Sequence, residues 1–270
     1  MRIAVAATAP LGAAVLEGLA ARGHEIEVLI TRPDAKQGRG RKRLPPPAKE
    51  AARRLDVPVE QPERLTAFPG EARVVVVAAY GVLVPEKLLG ERLWLNVHPS
   101  LLPRWRGAAP VERAIMAGDR ETGVTIHRTT AELDAGPIAA QRRIPIGPED
   151  DTGVVLDRAA PLAVDLLDEV FREPTFTPQP EGAATYADKI TAADRELDWD
   201  DLPEVNLNKI RALSPHIGAR ALVDGRRLLV WRARPAREES VLVAGGLELL
   251  DVQREGGKRM TAEEYLRGRR

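Results

Sequence analysis

The chain has 270 residues, a formal net charge of zero, 44% hydrophobic content and no cysteine. That length suits one medium domain and one small one, with enough apolar side chains for packed cores. The lack of cysteine excludes a disulfide framework, a thiolate metal site and a thiol nucleophile, and the four histidines, at 24, 98, 127 and 216, have no metal spacing such as HExxH.

Arg2–Ala7 is a continuous β-prone run. Residues 11–22 carry Leu11, Val15, Leu16 and Leu19 at helical spacing, and Gly23 follows as a C-cap. Residues 25–31, EIEVLIT, predict a second strand, so the chain opens β-α-β, as parallel sheets do. The first apolar run is short and breaks at Pro10, which fits a buried strand better than a signal peptide. No run approaches the length of a membrane span, and a soluble, cytoplasmic protein with no membrane partner is expected. The first turn reads AATAPLGA; without GxGxxG it disfavours a bound dinucleotide.

Residues 33–47, rich in Gly, Pro, Lys and Arg, predict a loop, 47–55 a helix and 58–61 a short strand. RVVVVAA, at 73–79, is the most apolar segment and reads as a central strand covered on both faces. Tyr80-Gly81 predicts a turn, 85–89 a short helix and 94–97 another strand. A helix over 107–116, strands over 124–129 and 138–144, and a long helix over 152–171 complete a first domain assigned to 1–178. Proline, glycine and acid then mark a surface linker, 179–204. After a short helix at 206–213, strand-like segments at 219–223, 227–233 and 239–252, the last with a Gly245-Gly246 turn, predict a small β-barrel or sheet over 205–270. Thr261 with Glu264 three residues on predicts the start of a final helix.

The zero net charge conceals segregation. Residues 32–54 hold nine basic and two acidic side chains, 149–204 sixteen acidic and four basic, and 205–270 fourteen basic and eight acidic. Two basic segments flanking an acidic one fit a polyanionic partner; they fit equally a surface on which the charges interleave.

Chemistry concentrates in LNVHPSLLPRWRGAAP, at 95–110. Asn96 and His98 are two residues apart on a strand and so share a face. At the carboxyl end of a parallel strand that face meets the crevice where open α/β sheets bind ligands. Asn offers an amide N–H to a developing oxyanion, and His carries a proton near neutral pH. Asp134, an acid in a Gly-Pro turn, is the best third member. On spacing alone a structural role for His98 stays open, and His24, His127 and His216 are expected to be structural. No serine sits in a GxSxG elbow. An oxyanion donor and a base without a nucleophile suit direct attack of an amine on a carbonyl carbon.

With GVTIHRTTAELDAGPIAAQ at 123–141, this segment resembles the folate-dependent formyltransferase family. The likeness continues through RPDAKQGRGRK at 32–42, VVVVAAYGVLVPEKLL at 74–89, EGAATYADKI at 181–190, KIRALSPHIGA at 209–219 and GGKRMTAEEYLRGRR at 256–270. NxHxSLLP marks the broad family. RWRGAAP, the GRG loop and the second domain are similar to its members that act on methionyl-tRNA. The resemblance implies a Rossmann-like formyltransferase domain with a mostly parallel sheet, plus a small OB-like β-barrel C-terminal domain. It implies formyl transfer from 10-formyltetrahydrofolate to the amino group of methionyl-initiator tRNA, with no metal; a monomer is expected. Asn96, His98 and Asp134 match the family's catalytic residues, and Ser100, Leu101, Leu102 and Pro103 match the stretch that holds tetrahydrofolate. Arg39 matches a loop arginine that approaches the tRNA acceptor end, with Arg41, Lys42 and Arg43 beside phosphates. Without the match, 36–43 reads as a solvated loop.

The chain departs from the family in three places. ATAPL at 7–11 stands where the family reads GTPxF, the segment between Leu65 and Val74 is short and reduces one peripheral helix, and a strand or two is lacking between Arg234 and Val241, which leaves the barrel partly open. Relatives acting on a sugar amine or glycinamide ribonucleotide would share Asn96, His98 and Asp134 but not need the GRG loop. An inactive RNA-binding protein would not need all three.

Overall fold

The structure, a computed structural model, describes residues 1–37 and 42–268. The chain begins with β1 (Arg2–Ala7), buried on both faces from Ile3 onward, and α1 (Pro10–Ala21). Pro10 lies at the start of the helix, where its missing N–H leaves no bond unmade. Gly23 follows the helix at φ 82°, a left-handed cap that glycine adopts without strain. Gly12 lets α1 lie close on the sheet, because a Cβ there would stand 2.4 Å from the Ala78 carbonyl oxygen.

After β2 (Glu25–Ile30), the segment expected as a loop contains a small hairpin of β3 (Ala35–Gln37) and β4 (Lys42–Leu44), with Lys36 opposite Arg43. Then come α2 (Pro47–Arg54), β5 (Val59–Glu60), β6 (Val74–Ala78), α3 (Glu86–Glu91) and β7 (Leu93–His98). Five of these strands lie parallel in the order β7-β6-β1-β2-β5. Beyond β8 (Arg106–Gly107) and α4 (Pro110–Met116), β9 (Glu121–Arg128) joins antiparallel to β7, and β10 (Ile138–Pro145) makes seven strands. β6 is buried throughout, as its run of valines predicts. α5 (Thr152–Arg172) and β11 (Tyr186–Ala187) follow.

Two side-chain layers hold this sheet. Ile3, Val5, Leu95, Val97 and Ile126 pack with helical residues such as Leu16, Leu19 and Leu167. Ala4, Ala6, Val28, Val75 and Val77 pack on the other face with Leu88 and Trp94. Asn96 and His98 continue the Trp94 face at the carboxyl end of β7. The chain moves from β1 outward to β2 on one side and returns to β6 on the other, and the carboxyl ends around that reversal form the ligand crevice of such sheets.

The residues divide into two compact units that interleave along the chain. The first comprises Met1–Ala108, Gly123–Ile144 and Leu156–Tyr186; the second comprises Ala109–Thr122, Pro145–Val155 and Ala187–Arg270. In the second, α6 (Pro203–Leu213) precedes β12 (Ala219–Val223), β13 (Arg226–Pro235), β14 (Val243–Ala244), β15 (Leu247–Arg254) and β16 (Arg259–Thr261). These five strands pair antiparallel in the order β12-β13-β15-β14, with β16 also on β15, and curl into half a barrel. Ile210, Leu213, Val230, Leu249, Val252 and Tyr265 form its core. Gly245 and Gly246, at φ 52° and 74°, turn the chain between β14 and β15. α7 (Ala262–Arg267) starts on a capping box: Glu264 N donates to Thr261 Oγ1 at 3.3 Å, and Thr261 N donates to Glu264 Oε2 at 3.0 Å.

The two earlier segments are tied into this unit by long-range bonds. Arg113 grips both oxygens of Asp194, at 2.7 and 3.0 Å, and Thr152 Oγ1 donates to the Ala212 carbonyl at 2.7 Å. Arg211 donates to the carbonyls of Gly147 and Asp150. Among the described residues, no helix is long and apolar enough to cross a membrane.

Candidate active site

The register of β7 against β9 sets the site. Asn96 lies opposite His127 and His98 opposite Thr125, so all four side chains share one face. The loop from β9 to β10 brings in Asp134. Its backbone is left-handed, at φ 49°, a conformation that Asp tolerates better than most residues. Gly136 lets the loop fold back on β9, since a Cβ there would sit 1.8 Å from the Arg128 carbonyl oxygen.

Asp134 is the hub. Its Oδ1 accepts from Asn96 Nδ2 at 3.1 Å and lies 3.5 Å from His127 Nε2. Its Oδ2 accepts from Gly107 N at 2.9 Å and lies 3.5 Å from His98 Nδ1. His98 Nε2 donates to the Trp105 carbonyl at 2.8 Å. Trp105 is itself left-handed, at φ 64°, and its N–H donates to Thr185 Oγ1 at 2.9 Å. His127 Nδ1 faces the Arg128 carbonyl at 3.1 Å. A carbonyl only accepts, so Nδ1 carries a hydrogen, and Nε2 lies 3.0 Å from Asn96 Nδ2.

Behind the loop, Gln179 donates its two amide hydrogens to the carbonyls of Asp134 and Gly136, at 2.7 and 2.8 Å. Arg106 donates to Gln179 Oε1 from Nε at 3.1 Å and from Nη2 at 2.7 Å. Outside this clamp lies a cleft of ≈ 640 Å³ whose lining includes Glu132, Ala135, Gln179 and Tyr186.

The stretch 100–103 forms a tight turn with Leu102–Pro103 in cis. Ser100 Oγ donates to the Arg104 carbonyl at 2.7 Å; Thr125 Oγ1 donates to the Ser100 carbonyl at 2.6 Å and accepts from Leu102 N at 3.2 Å. Ser100 and Leu102 are buried, whereas Leu101 and Pro103 are half-buried. In the 74–89 segment Tyr80 is buried, but Leu83 is 78% exposed. Arg39 and Arg41 lie outside the described residues, as does the side chain of Lys42; Arg43 is exposed on β4. Lys49 Nζ donates to Asp34 Oδ1 at 2.6 Å and to Gln61 Oε1 at 2.5 Å.

A family model described as "Formyl transferase" matches residues 1–171, and one described as "Formyl transferase, C-terminal domain" matches residues 189–270. The chain belongs to the formyl transferase family. A methionyl-tRNA formyltransferase of Aromatoleum aromaticum is 38% identical over 297 residues, covering 99% of this chain and 94% of that one. In fold, the chain is similar to HypX from Aquifex aeolicus in complex with tetrahydrofolic acid, at TM-score 0.69 and 20% identity. That match covers 98% of this chain and 46% of the other, so the chain spans about half of HypX. It is also similar in fold to a methionyl-tRNA formyltransferase from Clostridium thermocellum, at TM-score 0.64 and 17% identity, over 93% of this chain and 99% of that one.

The electrostatics of this formyl transferase cluster are set by burial. The side chains of His98, Asp134 and His127 are 5%, 9% and 1% exposed. Burial drives the His98 pKa below its ordinary 6.5, against the attraction of Asp134 and the bond to the Trp105 carbonyl. Burial alone would raise the Asp134 carboxyl. The His127 contact, the nearby His98 and the Gly107 N–H outweigh it and hold the group below the usual carboxylate range. The arrangement is a neutral imidazole beside a carboxylate, able to take up a proton and hold it as an ion pair. Both Asn96 amide hydrogens are directed inward, so lending one to a substrate oxygen exchanges it from Asp134 or His127. Among the described residues, no group of three or more His, Cys, Asp or Glu is arranged to hold a metal ion.

Asn96, His98 and Asp134 do come together. His127, expected as structural, joins them, and the alternation in VTIHRT already set it on the face of Thr125 and opposite Ile126. Gln179 and the Trp105 carbonyl had no sequence signal.

Proposed function

We propose that this formyl transferase moves the formyl group of 10-formyltetrahydrofolate onto the amino group of methionyl-initiator tRNA. The observation that carries this reading is the 38% identity to a methionyl-tRNA formyltransferase over 99% of the chain, second unit included. The cluster of Asn96, His98 and Asp134 supplies the chemistry. The amine nitrogen bonds to the formyl carbon as the carbonyl electrons move onto oxygen, where an Asn96 N–H supports the charge. His98 takes the amine proton at Nδ1, and the adjacent Asp134 carboxylate stabilises the resulting imidazolium. The oxygen's electrons then re-form the carbonyl, the bond to N10 of tetrahydrofolate breaks, and the proton passes to N10. No covalent enzyme intermediate is needed.

Ser100, Leu101, Leu102 and Pro103 serve the folate donor, Ser100 and Leu102 through the backbone of their turn, because their side chains face inward. Arg39, Arg41, Lys42 and Arg43 meet the phosphates of the acceptor end, which makes tRNA affinity fall as salt rises. The enzyme works as a cytoplasmic monomer.

The test is formyl transfer by purified protein from 10-formyltetrahydrofolate, with initiator methionyl-tRNA, elongator methionyl-tRNA and a free sugar amine as separate acceptors. Transfer to the initiator alone is expected. Transfer to the sugar amine and to neither tRNA would overturn the reading.

A further inference from the structure

Three consecutive residues serve the Asp134 hub in different ways. Trp105 turns its carbonyl to His98, and Gly107 gives its N–H to Asp134 Oδ2. Arg106 between them touches neither group: its buried guanidinium holds the Gln179 Oε1, and Gln179 holds the loop. A guanidinium only donates, so the Gln179 amide can be oriented one way: oxygen toward Arg106, both hydrogens toward the carbonyls of Asp134 and Gly136. These carbonyls are two residues apart and bracket the turn that places the carboxylate. Asp134 sits there in left-handed backbone, which persists when surrounding contacts over-determine it. Gln179 falls between the two family-model matches, at 1–171 and 189–270, so membership of the family assigns it no role.

We infer that Gln179, oriented by Arg106, is a positioning residue for formyl transfer: it pins the Asp134–Gly136 backbone and thereby the carboxylate against His98 and His127. This rests on the formyl-transfer reading of the site. Gln179 does not touch reacting atoms; it acts through Asp134.

The test uses the full chain with Gln179→Met, which fills similar space and removes both donors and the acceptor. A second variant, Arg106→Lys, keeps the cation but loses the two-point grip. Each is measured for kcat and KM with both substrates, for thermal melting, and for the ring Cε1–H resonances of its four histidines. In Gln179→Met, kcat should fall about 10- to 100-fold, in line with a carboxylate displaced by about an ångström, with KM within about threefold. The His98 and His127 resonances should move while those of His24 and His216 stay. Arg106→Lys should give the same pattern at smaller size, and it carries the test if Gln179→Met does not fold.

A folded Gln179→Met with near-normal kcat and unmoved His98 and His127 signals would overturn the inference. So would a raised KM at normal kcat, which would mean that Gln179 grips substrate. A loss that tracks melting, with all four signals shifting, would reduce the clamp to general stability. If the unsubstituted protein transfers no formyl group, the functional reading fails, and the ring resonances still decide whether the clamp holds Asp134.

Discussion

Replacing Gly136 by Ala tests how far the rate depends on where the Asp134 loop lies. The added Cβ would meet the Arg128 carbonyl oxygen at 1.8 Å and the Arg128 carbonyl carbon at 2.9 Å. Both atoms are backbone in a paired strand and cannot swing aside. Real Cβ atoms keep at least 3.0 Å from such an oxygen, so the loop must retreat by about 1.2 Å. A misplacement of about 1 Å at a reacting constellation costs roughly 100-fold in rate, which corresponds to about 2.7 kcal/mol in the barrier. Crowding of this kind also lowers stability, by about 1–3 kcal/mol. The assay is therefore kcat at saturating donor and methionyl-tRNA, below the melting transition of both proteins. A folded Gly136→Ala protein with kcat within a few-fold of the unsubstituted chain would refute the link between loop position and rate.

Because His98 must be neutral to accept a proton and its pKa lies below 6.5, the acid limb of the rate profile should fall below pH 6.5, with rate flat through neutrality; an inflection above 6.5 would contradict this. The same depression means that the unfolded chain binds this proton more readily than the folded one. Stability from His98 is complete above pH 6.5 and is lost as pH falls toward the folded value, so melting temperature should drop on acidification, and less so in His98→Phe. His127→Leu removes a partner from both Asn96 and Asp134 and should lower kcat by about tenfold or more, which steady-state kinetics would read; an unchanged kcat would leave His127 structural. Thr261→Ala removes the α7 cap and should cost about 1 kcal/mol in denaturant unfolding with kcat unchanged.

What was legible in the sequence had a local cause. The β-α-β opening, the valines of β6 and the Thr261 capping box each follow from spacing within a few residues. Asn96 and His98 were visible as a pair because a two-residue step on a strand is a face, and Asp134 because an acid beside Gly-Pro implies a turn. His127 needed the pairing of β9 with β7, which no short window contains. The Trp105 carbonyl was invisible in principle: every residue has one, and its aim depends on the left-handed backbone at that position. Gln179 lay in a stretch whose composition reads as linker, and the β3–β4 pairing was hidden under residues that usually mark loops. The assignment of 109–122 and 145–155 to the second unit depends on bonds such as Arg113 to Asp194, made far along the chain.

That last feature has a cost in time. During synthesis α4 leaves the exit tunnel well before the residues it needs: Asp194 lies 81 positions later, and α6, on which α4 packs, later still. At about 5–20 residues per second, the wait for Asp194 alone lasts about 4–16 s. Throughout it Met116, which packs against the core formed by residues such as Ile210, Leu213 and Val230, lacks that cover. The nascent chain thus carries a helix of its second unit before the core that helix joins has been made, while residues 123–144 and 156–186 of the first are still to come.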